Sequence, residues 1–239
     1  MPTELPQAAS LTAVSKLYGS FAALRNVSAS FRAGECVMVL GENGAGKSTM
    51  LRMLAGLIRP TMGTVLVLGE SPEDSRSRIG YMGHASMLYD ELTALENLRY
   101  FESLYFPDAC NRCSAGGNAA RVIQAVGLDP NLDRAVGDYS QGMRQRASLA
   151  RAILSDPELL LLDEPFSNLD IGGAAAMVAL LGEFRTWPLR GVQSEPGKRT
   201  IVLTTHQPQL AEALADTIVT MRAGQILSVE SKTGVGARA

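Results

Sequence analysis

Gly41-Glu42-Asn43-Gly44-Ala45-Gly46-Lys47-Ser48 fits the pattern G-x-x-x-x-G-K-[ST], and this stretch restricts the possible folds more strongly than any other. Residues 35–40 before it have the composition of a buried strand, and a helical period begins near Lys47 after it. Glycines allow such a loop to point its backbone N–H groups inward, which makes an anion-binding nest at a helix N-terminus. We therefore predict a phosphate-binding loop in which Lys47 contacts the β- and γ-phosphates and the hydroxyl of Ser48 binds Mg²⁺. The alternative is a glycine-rich turn that binds no ligand.

A second stretch, Leu159-Leu160-Leu161-Leu162-Asp163-Glu164-Pro165, has the pattern of a hydrophobic strand that ends in two acidic residues. A strand that carries an aspartate at its carboxyl end places that carboxylate beside the Mg²⁺ of a bound nucleotide. We expect Asp163 to bind Mg²⁺ and Glu164 to accept a proton from the attacking water or to orient it. Alone, the stretch equally fits a core strand that reaches solvent; the phosphate loop upstream favours the catalytic interpretation.

The composition limits the class of protein. The 239 residues are 46% hydrophobic and 19% charged, which is typical of an ordered globular chain. The formal net charge of −2 argues against a protein that mainly binds DNA or RNA, so no nucleic-acid partner is expected. The longest apolar run, residues 171–182, is shorter than the ~18–20 residues that cross a bilayer, and we see no secretory signal. Three cysteines do not make a disulfide framework for this length, so we expect a cytoplasmic protein.

Strand-like and helix-like stretches alternate, which predicts an α/β fold with a mixed, partly parallel sheet. The predicted strands are at residues 11–16, 23–31, 35–40, 64–68, 78–82, 159–162, 200–204, 216–221 and 225–230. One predicted helix begins near residue 47, and others cover 94–105, 119–126 and 141–154. The first two strands are expected to pair antiparallel around Gly19 and Ser20. Residues 109–118 and 188–197 are predicted loops, and 231–239 a loose tail.

Further motifs extend the pattern over most of the chain. Tyr139-Ser140-Gln141-Gly142-Met143-Arg144-Gln145-Arg146 precedes the acidic pair, and Ser167-Asn168-Leu169-Asp170 and then His206 follow it. In this order the motifs resemble those of the ATP-binding-cassette (ABC) ATPases. The resemblance implies ATP and Mg²⁺ as cofactors, and a second cassette and a transmembrane permease as partners. It also implies a peripheral location on the cytoplasmic face of the cell membrane.

The resemblance implies a domain organisation as well. We expect one ABC-type P-loop NTPase domain over residues 1–239, in which 1–84 and 155–230 form the nucleotide-binding core with an antiparallel β subdomain. Residues 85–154 are expected to form an inserted helical subdomain, followed at the end of the chain by the tail. This insertion is rich in aromatic residues, which either pack the subdomain or line the groove that receives a permease helix in this family: Tyr89, Tyr100, Phe101, Tyr105 and Phe106.

Several site residues are carried over from this resemblance alone. Tyr18 matches the aromatic residue that stacks on adenine. The phosphate loop, which its own motif predicts, extends from Gly41 to Thr49. His206 matches the switch histidine that contacts the γ-phosphate.

Other matched residues imply a site shared between two subunits. Ser140, Gln141 and Gly142 match the segment that binds the γ-phosphate held by the opposite subunit, and Asp170 lies in the loop that links the two sites. Gln141 stands where the family has the first of two adjacent glycines, and Met143 where it has a glutamine. These replacements resemble those of exporter-type cassettes.

His84 occupies a position at which ABC cassettes usually carry a glutamine. Tyr81-Met82-Gly83-His84, followed by the sequence Leu-Thr-Ala-Leu-Glu-Asn-Leu at 92–98, is similar to the ATP-binding subunit of the haem exporter of cytochrome c maturation. An imidazole offers one acceptor and one donor nitrogen, so His84 is a candidate catalytic residue; a solvated loop histidine is the alternative. The resemblance implies haem export, with general export of lipids, drugs or polysaccharides as the alternative.

Cys110-Asn111-Arg112-Cys113 is interpreted as a pair of loop thiols. No histidine follows Cys113, as a c-type haem attachment motif requires, and no second cysteine pair completes a zinc site.

Two further functions stay open at this stage. One is an ATPase that acts on DNA or ribosomes, which the acidic charge and the lack of a second cassette in the chain disfavour. The other is a regulatory module that binds ATP without hydrolysing it, which Gln141 and Met143 suggest and which Glu164 and His206 argue against.

Overall fold

Two β-sheets form the framework on which the helices pack. The computed structural model describes residues 6–106, 118–187 and 199–232. The larger sheet contains β3 (Cys36–Leu40), β5 (Ile79–Met82), β6 (Leu159–Asp163), β7 (Thr200–Thr205), β8 (Thr217–Arg222) and β9 (Gln225–Ser231). Its strand order is β5-β6-β7-β3-β8-β9; all neighbours run parallel except β8 and β9, which pair antiparallel at one edge. The predicted α/β fold with a mixed, partly parallel sheet is therefore confirmed.

The smaller sheet is antiparallel and has three strands. They are β1 (Gln7–Tyr18), β2 (Phe21–Arg32) and β4 (Met62–Val67), in the order β2-β1-β4. The turn between β1 and β2 falls at Gly19 and Ser20, as predicted, and Gly19 has a φ of +59°. Because glycine lacks a Cβ, it takes this left-handed conformation without steric cost.

The α-helices within the described ranges are α1 (Lys47–Leu54), α2 (Ala94–Tyr105), α3 (Asn118–Ala125), α4 (Gln141–Ile153), α5 (Ile171–Phe184) and α6 (Pro208–Ala211). The first four confirm sequence predictions to within one or two residues. Neither α5 nor α6 was predicted. The sequence of α5 consists largely of alanine, glycine and leucine with no polar face, so no helical period marks it. Asp170 starts this helix by accepting a hydrogen bond from the backbone N–H of Gly173 at 2.7 Å.

The larger sheet separates two hydrophobic clusters. Leu160 and Leu162 of β6 pack with residues of α2, α3, α4 and α5, whereas Leu159 and Leu161 pack with α1 and the smaller sheet. Successive side chains of a strand point to opposite faces, so one run of leucines serves both clusters. Cys36 is fully buried in β3, and this burial raises the pKa of its thiol to about 12. The side chains at the ends of these strands therefore extend from a densely packed core.

Some sequence predictions fall outside the described residues. They are the loop at 188–197, the tail beyond Lys232, and the loop at 109–118 except for Asn118, which begins α3. Cys110 and Cys113 belong to this group. The subdomain boundaries at 84/85 and 154/155 stay predictions. Within residues 6–106, 118–187 and 199–232, every helix is too short or too polar to span a membrane.

Candidate nucleotide-binding site

Three neighbouring strands of the larger sheet end at one edge and carry the candidate catalytic side chains. β3 leads into the loop that starts at Gly41, β6 ends in Asp163, and His206 directly follows β7. These strands are parallel, with β7 between β3 and β6, so their carboxyl ends lie side by side. In an open α/β sheet, ligands bind in the crevice outside the carboxyl ends of the strands.

The loop between β3 and α1 holds Lys47 in a buried position. Its ammonium group donates hydrogen bonds to the backbone carbonyls of Gly41 at 2.6 Å and Glu42 at 3.2 Å. Gly46 has a φ of +100°, and a Cβ at this position would lie 2.7 Å from the carbonyl oxygen of Ala23. A larger residue would therefore strain the backbone and collide with β2. The left-handed backbone at Gly46 fits the glycine-rich phosphate loop that the sequence predicts.

Asp163 lies beside the first turn of α1. Its Oδ1 atom accepts a hydrogen bond from the hydroxyl of Ser48 at 3.0 Å. Its Oδ2 atom is buried and has no hydrogen-bond partner among the described residues. A carboxylate oxygen without a proton donor, next to a hydroxyl oxygen, is the donor set that a hard divalent cation prefers. Asp163 and Ser48 therefore fit Mg²⁺, and they are the residues that would hold it.

Glu164 is half-buried and lies between the loop lysine and the switch histidine. Its Oε1 atom is 3.7 Å from Nζ of Lys47. Its Oε2 atom accepts the backbone N–H of His206 at 3.2 Å and lies 2.9 Å from Nδ1 of the imidazole. The sequence motifs thus bring a cation, a carboxylate and an imidazole into direct contact.

These residues line a single open cavity of about 630 Å³. Its lining consists of Phe21, Ala23, Asn43, Gly44, Ala45, Gly46, Lys47, Ser48, Thr49, His84, Asp163, Glu164, Ser167, Asn168 and His206. Most of the phosphate loop, both acidic residues and both histidines are therefore brought together, as expected. Phe21, Ala23, Ser167 and Asn168 were not predicted as site residues. Ser167 and Asn168 had a usable signal, because they begin the motif at residues 167–170, separated from the acidic pair by two residues.

Tyr18 does not line this cavity, whereas Phe21 does. The two rings belong to residues that face each other across the hairpin, at the end of β1 and the start of β2. Tyr18 is half exposed, Phe21 more so, and the ammonium of Lys16 lies 5.2 Å from the centre of the Tyr18 ring. Two aromatic side chains therefore lie at this end of the site, and the family resemblance indicated only Tyr18.

The residues expected to serve an opposite subunit lie outside the cavity. Ser140 caps α4 by accepting the backbone N–H of Met143 at 3.3 Å, and Asp170 caps α5. Ser140, Gln141 and Asp170 are exposed. The start of α4 contacts the loop before α5, since Nε2 of Gln145 donates to the carbonyl of Ser167 at 3.3 Å. These residues are therefore on the surface, and α4 contacts Ser167, which lines the cavity.

Comparisons with known proteins agree with this geometry. A family model described as "ABC transporter" matches residues 24–167. The chain is 36% identical over 210 residues to the ABC transporter ATP-binding protein NatA of Bacillus subtilis, covering 86% of this chain and 80% of that protein. It is 36% identical over 230 residues to the Nod factor export ATP-binding protein I of Rhizobium meliloti, covering 94% of this chain and 64% of that protein.

A solved structure gives the same result for the fold. The ATP-binding cassette MJ0796, in a dimeric post-hydrolysis state bound to ADP and Pi, matches with a TM-score of 0.79 at 27% identity. The match covers 93% of this chain and 98% of that one. ATP with Mg²⁺, a second cassette and a transmembrane permease, which the motifs led us to expect, are the ligands and partners of such cassettes. The strand order, the contacts of Lys47, Asp163 and Glu164, and these matches lead to one conclusion: the chain belongs to the ABC transporter family, as an ATP-binding cassette.

Proposed function

We propose that this chain is the ATP-hydrolysing subunit of an ABC exporter. The observation that carries the proposal is the contact of Glu164 with both Lys47 and His206 in a cavity that also holds Asp163. A cassette that only bound ATP would need the phosphate loop but not a carboxylate held by a histidine. This contact therefore favours hydrolysis over the regulatory alternative.

Each side chain has a distinct part in the proposed reaction. Lys47 exchanges its bonds to the Gly41 and Glu42 carbonyls for phosphate oxygens, which places its charge on the transferred group. Glu164 accepts the proton of the attacking water. In the tautomer with its hydrogen on Nδ1, His206 donates to Glu164 and holds the carboxylate in place. When bound, Mg²⁺ neutralises charge on the phosphates.

The proposed active form is a dimer with ATP at the interface. Ser140, Gln141 and Asp170 are exposed, and none of them lines the cavity. A second copy that places this surface over the open cavity would complete the contacts to the γ-phosphate. Binding of ATP then favours the closed pair, and loss of the γ-phosphate favours its opening.

Replacement of the proposed base tests this function. In Glu164→Gln the amide no longer accepts a proton, so we expect ATP turnover to fall by about 10²–10⁴-fold. ATP binding is expected to persist, and the variant to accumulate as an ATP-bound dimer in size-exclusion chromatography with light scattering. Phosphate release and nucleotide binding are measured on the same preparations.

Glu158→Gln is the matched control. Glu158 precedes β6 and pairs with Arg78 at 2.6 Å outside the cavity, so this variant should hydrolyse ATP at the parent rate. Hydrolysis by Glu164→Gln equal to that of Glu158→Gln would reject Glu164 as the base. An inactive parent that still binds ATP would support the regulatory alternative.

Haem is the narrower substrate that we propose for the exporter. The support is Gly83-His84 and the sequence at 92–98, which resemble the haem-exporter subunit, and the placement of His84 in the cavity lining. Deletion of the gene in its host should abolish c-type cytochromes detected by haem staining. The wild-type gene should restore them, and the gene with Glu164→Gln should not. Normal cytochromes in the deletion strain would instead support general export of lipids, drugs or polysaccharides.

A further inference from the structure

Thr204, the fifth residue of β7, contacts both acidic residues of the site although no motif includes it. We propose that Thr204 is a positioning residue that holds Asp163 ready for Mg²⁺ and Glu164 ready for water. The inference rests on the proposed ATPase function and extends it to a buried hydroxyl.

The strand pairing places Thr204 directly beside Asp163. β6 and β7 are parallel neighbours, and Asp163 and Thr204 are partners in their register. Thr204 has 0% relative exposure, so its hydroxyl must find partners within the protein. It does not line the cavity, and it therefore acts through other residues and not on the substrate.

The hydroxyl of Thr204 makes two hydrogen bonds of opposite sense. It donates to Oδ1 of Asp163 at 2.8 Å and accepts the backbone N–H of Glu164 at 3.0 Å. With Ser48 also donating to Oδ1, the second carboxylate oxygen is the one left without a partner among the described residues. The bond from Thr204 thus fixes which oxygen of Asp163 is free for the metal ion.

The same hydroxyl stabilises an unusual backbone at Glu164. This residue has a φ of +54°, in the left-handed region that non-glycine residues seldom adopt. Its N–H bonds to Thr204, and its carbonyl accepts the N–H of Ser167 at 3.1 Å and the Ser167 hydroxyl at 2.8 Å. The conformation turns the chain at the end of β6, so that the side chain of Glu164 reaches His206. Loss of the hydroxyl leaves the Glu164 N–H without this partner and weakens the turn.

The test compares hydroxyl removal at two positions of one strand. Thr204→Val keeps the size and branching of the side chain but removes the hydroxyl, and Thr204→Ser keeps the hydroxyl. Thr200→Val is the matched control, because Thr200 is also buried and lies on the same strand. Its hydroxyl accepts the N–H of Gly34, away from the cavity.

Two measurements separate positioning from simple stability. The first is steady-state ATP hydrolysis, which gives kcat and the Mg²⁺ concentration for half-maximal activity. The other, which needs no turnover, is binding of a fluorescent ATP analogue in EDTA and over a Mg²⁺ titration. Loss of a group that orients a metal ligand typically lowers metal affinity or activity by about 10–100-fold. We expect this loss in Thr204→Val, with unchanged nucleotide binding in EDTA, and near-parental values in Thr204→Ser and Thr200→Val.

The outcomes are distinct. Parental kcat and Mg²⁺ dependence in Thr204→Val, or an equal loss in Thr200→Val or in Thr204→Ser, would overturn the inference. Thr204→Ala removes the same hydroxyl with less volume and is expected to reproduce the loss if the valine variant does not fold. A parent that hydrolyses no ATP refutes the proposed function, while the Mg²⁺ titration of nucleotide binding still tests Thr204.

Discussion

At the residue scale, the proposed role of His84 depends on whether its imidazole can accept a hydrogen bond. His84 is exposed, follows β5 by two residues and lines the same cavity as the phosphate loop residues. A neutral imidazole can accept a hydrogen bond as a glutamine oxygen does, but a protonated one has no acceptor nitrogen. If His84 replaces the glutamine, protonation of its imidazole removes the acceptor nitrogen and lowers ATPase activity.

The variant His84→Gln isolates this effect from the rest of the site. The ionisable side chains of His206 and Glu164 line the same cavity, so the pH profile of the parent alone is not diagnostic. The glutamine variant is expected to keep its activity to lower pH than the parent. ATPase rates from about pH 5.5 to 8 measure the difference, and identical profiles would show that His84 has no such role.

At the element scale, the start of α2 depends on a capping box. The Thr93 hydroxyl accepts the N–H of Glu96 at 3.2 Å, and the Glu96 carboxylate accepts the N–H of Thr93 at 2.8 Å. Thr93→Ala removes half of this box and should lower the free energy of unfolding by about 1 kcal/mol. Urea unfolding followed by circular dichroism measures the change. Ser103→Ala, which removes an exposed hydroxyl late in the same helix, should have little effect.

The capping box also has a defined pH dependence. Hydrogen bonds from Thr93 lower the pKa of Glu96 below its ordinary value. The unfolded chain therefore binds this proton at a higher pH than the folded one, and the stabilisation is present above the ordinary carboxyl pKa and lost as the pH falls through the lowered value. The effect of Thr93→Ala should accordingly be smaller at about pH 3.5 than at about pH 7. An equal effect at both values would argue against a role of the Glu96 charge.

At the scale of the whole molecule, nucleotide binding should stabilise the folded chain. A ligand at one hundred times its Kd stabilises the bound state by about 2.7 kcal/mol, which corresponds to a rise in Tm of roughly 5–10 °C for a domain of this size. Differential scanning fluorimetry with MgATP should show this rise for the parent and not for Lys47→Ala, because Lys47 is the buried cation of the cavity. The control Lys232→Ala removes a lysine that contacts Glu212 outside the cavity and should behave as the parent. A full shift in Lys47→Ala would contradict the placement of the phosphates.

Features encoded over a few neighbouring residues were predictable from the sequence. The loop around Lys47, the run of leucines that ends in Asp163, and the capped helix α2 each show their pattern within one short segment. The predicted α/β fold is confirmed. The structure also brings most of the predicted site residues together in one cavity, and their roles stay predictions.

Contacts between residues far apart in the sequence could be identified only in the folded structure. Thr204 meets Asp163 because β6 and β7 pair in one register, and nothing near Thr204 in the sequence indicates this partner. Phe21 lines the cavity, whereas Tyr18, its partner across the hairpin, does not. The hairpin packs against the phosphate loop, where the carbonyl of Ala23 lies close to Gly46. Helix α5 forms although its sequence lacks a polar face, since the core buries one side of it. Hydrogen bonds and packing between segments far apart in the chain depend on strand order and register, which local patterns do not encode.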